Sequence, residues 1–157
     1  MSRWWSACAA VVLACAAQPT SAQEFGVYLD CGGTITSGGK NKAAKLNLAL
    51  RRNSQLALVS SSDVLPDGAR LKLDMTPRFY TMTLVVPTQS AAWYNWFHGH
   101  IVVWSPYLKN LHAIRMSVDR QSAVLEGELR DGAGDIIGRI AMRCTPGNND
   151  TVPEPKF

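Results

Sequence analysis

The chain has 157 residues, 46% of them hydrophobic, and a net charge of +4 from 16 basic and 12 acidic residues. That is enough for a single domain with a real core, near the usual size of about 100 to 150 residues. The charge, which falls by one if Arg3 is set aside, is too small and too spread for a nucleic-acid binder, which concentrates basic residues in one patch.

The N-terminus opens with Met1, Ser2 and Arg3, runs apolar from Trp4 to Ala17, and reaches Thr20-Ser21-Ala22. A charged start, a short apolar run and small residues at a cleavage position read as a secretory signal over residues 1–22. The run is too short for a bilayer-spanning helix, which needs about 20 apolar residues. Val12-Leu13-Ala14-Cys15 loosely resembles a bacterial lipoprotein box, which would imply a lipid anchor at Cys15. Leu13 stands one place too late for a good match, so export without an anchor is the expectation, with a periplasmic or secreted location.

Beyond the signal, a β domain is expected over 23–145, followed by a polar, disordered tail over 146–157. Phe25, Val27, Leu29 and Cys31 alternate on one face of a first strand. Leu46, Leu48 and Leu50 follow as a second, and Leu56 and Leu58 resume the alternation after Arg52-Asn53-Ser54, as in a hairpin. Ala43, Leu46 and Leu50 also fit helical spacing, but three alternating leucines fit period 2 better. After the turn signal Pro66-Asp67-Gly68, Leu71, Leu73 and Met75 alternate, and Phe79 to Val86 is a β-branched and aromatic run.

Ser90 to Gly99 breaks the pattern: a serine in N-cap position, two alanines, and a glycine where a helix would stop predict a short helix near 90–98 that packs Trp93, Trp96 and Phe97 onto a sheet. A strand from His100 to Trp104 is expected to follow. The alternative, one strand from Trp93 onward, would put Tyr94, Trp96, His98, His100 and Trp104 on one face. Three more alternating runs complete the domain: Ile114 to Val118, Ala123 to Leu129 and Ile136 to Cys144. The glycine-rich Asp131–Asp135 segment joins the last two as a hairpin connection in preference to a Ca²⁺ loop, which needs more ligands. Eight or nine short strands with regular turns predict an all-β fold, an antiparallel sandwich or a small barrel.

Cys31 and Cys144 are the pair left once the signal is excluded, and in an oxidising compartment they are expected to form a disulfide. It would staple the first strand to the last, which in a barrel are neighbours.

Functional signals are weaker. His98 and His100, with His112 further on, could share Zn²⁺ or Cu²⁺ if the first two stand at i, i+2 on a strand, with further ligands from Asp63, Asp74, Met75 or Met82. The plainer alternative is that His98 covers the aromatic cluster and His100 is an exposed residue. Trp93, Tyr94, Trp96 and Trp104 crowd together and would suit a glycan or an apolar ligand, or equally plug one end of the domain. Lys40, Lys42, Lys45, Arg51 and Arg52 fall in a stretch without acid between Asp30 and Asp63, suiting an anionic polymer, lipid headgroups or plain solvent. No G-x-S-x-G elbow and no H-E-x-x-H motif occurs. The expectation is a non-enzymatic binding module with an unidentified protein or envelope glycan as partner, ahead of metal handling through His98 and His100 and of a small envelope hydrolase, with no cofactor assigned.

Overall fold

The computed structural model describes residues 26–51, 53, 55–86 and 91–148, leaving aside the side chains of Ala91, Ala92 and Tyr94. The expected signal at 1–22 and most of the expected tail, 149–157, lie outside these residues.

Eight strands follow one another around a closed antiparallel barrel, each paired with its neighbours in sequence and the last with the first. They are β1 (Val27–Ser37), β2 (Lys40–Arg51), β3 (Leu56–Ser62), β4 (Arg70–Met75), β5 (Phe79–Val85), β6 (Leu111–Asp119), β7 (Val124–Asp131) and β8 (Ile136–Pro146). Of the two architectures open from sequence, the barrel is the one adopted. Closure gives each strand a neighbour on both sides, which limits the edge open to unwanted pairing.

The alternation explains the wall. Across the barrel Leu29 pairs with Leu48, Leu73 with Met82, Met82 with Met116 and Leu125 with Met142, so one face of every strand turns inward. Leu46, Leu48, Leu50, Leu71, Leu73, Met82, Ile114, Met116 and Leu125 are each at most 1% exposed and fill the interior, as side chains do in eight-stranded barrels. Burying each such side chain contributes about 1.5–3 kcal/mol relative to leaving it in water. The interior is so tight that a Cβ on Gly127 would sit 2.9 Å from Met116 Cγ.

The outward set, by contrast, includes exposed Lys45, Lys72, Arg115, Glu126, Arg139 and Arg143. That is the reverse of a barrel spanning a bilayer, whose outer band is apolar. No helix among the described residues is long and apolar enough to cross a membrane.

Cys31 and Cys144 face each other in register on β1 and β8 and form the expected disulfide, with their Cα atoms 4.0 Å apart. The bond closes the barrel covalently where its two ends in sequence meet. β8 runs on to Pro146, and the Gly147 N–H then donates to Tyr28 O, so ordered chain reaches beyond the boundary expected at 145.

Candidate functional site

Because the strands alternate in direction, the β1–β2, β3–β4, β5–β6 and β7–β8 connections gather at one end of the barrel, and both chain termini of the domain leave from the other. The β5–β6 connection is the long one and forms a helical cap. A short helix α1 (Ala91–Phe97) runs straight into a π-helical turn (His98–Val102), and a 3₁₀ turn (Pro106–Asn110) leads into β6.

The cap is built on a four-residue repeat. Phe97, Ile101 and Ser105 are 6%, 2% and 0% exposed, and with Leu108 and Leu111 they close the barrel end. Trp93, Trp96 and Trp104 are half-buried and pack on the same core from above. The helix is therefore where the sequence predicts it, but the strand expected from His100 to Trp104 is not formed. Those residues continue the helical turn, because Phe97 and Ile101 must both point down into the barrel mouth and only a helical path places residues four apart on one side.

Polar and steric contacts hold the cap in place. Ser105 Oγ donates to Ser37 Oγ at 3.1 Å, and Ser37 Oγ donates to Ile137 O at 2.7 Å. Tyr107 lies against the β1–β2 turn, where Gly38 and Gly39 both have positive φ, at 56° and 75°, as a two-residue hairpin turn requires. A Cβ on Gly38 would meet the Tyr107 ring, so the turn leaves a seat for that ring.

The histidines come out differently from the arrangement that metal binding would use. His98 and His100 sit on a helical turn, where residues two apart diverge. His100 stacks on Trp96, with ring centroids 5.0 Å apart, and its Nδ1 lies 2.9 Å from Trp96 O. His98 meets the edge of Phe97. His112 is exposed at the start of β6, at the same end. Asp74 and Met75 are at the far end of β4, and Met82 is buried inside the barrel, so these three do not reach the histidines. Among the described residues, no group of three or more His, Cys, Asp or Glu side chains is placed to hold a metal ion.

One motif escapes the sequence reading: Ser37-Gly38-Gly39-Lys40 has formal Ser-x-x-Lys spacing. Here it is the β1–β2 hairpin turn, and the Ser37 hydroxyl is 2% exposed and committed to Ile137 O, so it is a structural link and not a nucleophile. The Asp131–Asp135 segment is the expected hairpin connection: the Asp131 carboxylate accepts the Ala133 and Asp135 N–H groups.

Sequence reasoning singled out the aromatic residues from Trp93 to Trp104 as the interaction surface, but not Val85, Val103 and Ile136. Among the described residues the exposed large apolar side chains are Val85, Val103, Tyr107 and Ile136, and all four lie at the capped end. Val103 is 78% and Tyr107 68% exposed. A signal was available: between Asp74 and Asp119 the sequence contains no acidic residue. Of two shallow recesses, one of about 370 Å³ opens on the wall beside Gly32, Ala43, Lys45 and Asp63, and the other, of about 470 Å³, beside Met75, Pro77, Tyr80 and Arg120 at the opposite end.

Compared with known proteins, the chain matches no family model, no curated protein and no solved structure.

Proposed function

We propose that this chain is an exported, non-enzymatic interaction module that meets its partner with the capped end of the barrel. The observation that carries the reading is the placement of Val85, Val103, Tyr107 and Ile136, the exposed large apolar side chains among the described residues, all at that end. Exposed apolar side chains gathered at one end of a molecule, in place of being scattered over it, point to an interaction surface there. The filled interior leaves the outside of the molecule as the place for recognition. Export is supported by the N-terminal pattern and by the Cys31–Cys144 disulfide, which suits an oxidising compartment.

The test is retention on envelope fragments. Wild-type protein is expected to pellet with them, and Val85→Thr/Val103→Ser protein, changed at two exposed positions, to stay in the supernatant with a similar melting temperature. Equal pelleting of the two proteins would refute the reading.

A further inference from the structure

Resting on that reading, we infer that the partner of the capped end is an anionic lipid surface. The cap and the adjoining β1–β2 turn combine the two features that hold a protein at a bilayer interface, namely projecting apolar and aromatic side chains and nearby lysines with no acid among them. Val103 and Tyr107 project from the cap, and the same cap carries the half-buried Trp96 and Trp104, of the aromatic type that settles at headgroup level. Lys109 stands in the same 3₁₀ turn as Tyr107. Lys40 and Lys42 follow Gly38, against which the Tyr107 ring rests. No acidic residue occurs from Met75 to Val118 or from Cys31 to Ser62, the stretches that supply the whole cap and the whole turn.

The carboxylates at this end belong to the other two loops. Asp63 accepts the Lys45 backbone N–H, Asp67 the Ser62 N–H and Asp131 the N–H groups of its own hairpin, so these carboxylates are held against their own loops, with Asp135 beside Asp131, and none belongs to the cap or the β1–β2 turn. The patch is small, with few apolar side chains to insert. Binding should therefore be reversible and depend on both apolar insertion and charge, as two-signal attachment does.

The experiment is co-sedimentation with vesicles of phosphatidylcholine alone and of phosphatidylcholine mixed with phosphatidylglycerol, using the oxidised full-length protein and variants with the same N-terminal segment, so that differences read the cap. Wild type is expected to bind the mixed vesicles, to bind the neutral ones far less, and to be released as salt screens the headgroups. Lys40→Gln/Lys109→Gln should weaken binding by about five-fold for each lysine removed. Val103→Asp, at a solvent-exposed position, should abolish binding and leave the melting temperature nearly unchanged. Binding to mixed vesicles that neither variant alters would overturn the inference. So would no vesicle binding by a wild-type protein that still pellets with envelope fragments; the capped end would then remain a binding surface with a protein or glycan as partner. If wild type pellets with neither, the inference and the reading beneath it fall together. A Val103-dependent dimer that binds no vesicles would give the surface to a second copy of the chain and also overturn the lipid assignment.

Discussion

Ser105 Oγ donates to Ser37 Oγ at 3.1 Å, and with both side chains buried this contact joins the cap to the barrel wall. Ser37 is the more committed partner, because its own hydroxyl hydrogen goes to Ile137 O. Ser105→Ala removes one hydrogen bond and should cost about 0.5–1.5 kcal/mol. Ser37→Ala leaves the Ser105 hydroxyl and the Ile137 carbonyl without this partner and should cost about 1–3 kcal/mol. Urea unfolding of the two variants checks the order; Ser105→Ala as the more damaging change would mean that the cap is not anchored through Ser37.

Cys31 and Cys144 join the two strands farthest apart in sequence, at a separation of 113 positions. Closing so long a loop removes roughly 4–5 kcal/mol of denatured-state entropy on the chain-entropy model. Reduction should lower the urea midpoint accordingly, and a Cys31→Ala/Cys144→Ala variant should match the reduced protein. An unchanged midpoint would show that barrel closure rests on the strand ladder and core alone.

Ala123, in the β6–β7 turn, has φ of 57°, a left-handed conformation that costs a residue with a Cβ about 1–2 kcal/mol. Glycine relieves this but gives the unfolded chain back some freedom, about 0.4–1 kcal/mol. Ala123→Gly should therefore stabilise the protein by about 0.5–1 kcal/mol, read as a rise in melting temperature. A fall would mean that the methyl group contributes packing that outweighs its strain.

Asp119 caps the same turn. Its carboxylate is held below the ordinary value of 3.8, first by the Gln121 N–H and also by the Ser122 N–H and Arg78, against some opposing desolvation. A carboxyl group whose value is depressed by folding stabilises the native state above its unfolded value and ceases to do so as pH falls through the folded one. Stability should thus decline as pH drops below about 3.8 toward that lower folded value. In Asp119→Asn protein this part of the acid dependence should be missing. Identical pH profiles for the two proteins would remove Asp119 from the account.

The strands were legible because inward and outward residues alternate, as Leu46, Leu48 and Leu50 do on β2, and that signal survives any arrangement of the sheet. Whether the sheet closed was not legible, because a sandwich uses the same alternation; only the Cys31–Cys144 pair hinted that the first and last strands meet. The segment from His100 to Trp104 was misread because Ile101-Val102-Val103 is β-branched, and local preference yielded to the tertiary demand that Phe97 and Ile101 fill one barrel mouth. The period-four series Phe97, Ile101, Ser105 was the better guide. Val103 gave no signal of its own, since exposure follows from the cap's geometry and not from residue type.

The central claim, that the capped end meets the partner, is tested most directly by placing a photoreactive amino acid at Val103, at Ser122 on the opposite end and at Arg143 on the wall, then irradiating each protein with envelope fragments. The account predicts adducts from position 103 and almost none from 122 or 143. Adducts as abundant from the wall or the far end, or none from 103, would contradict it.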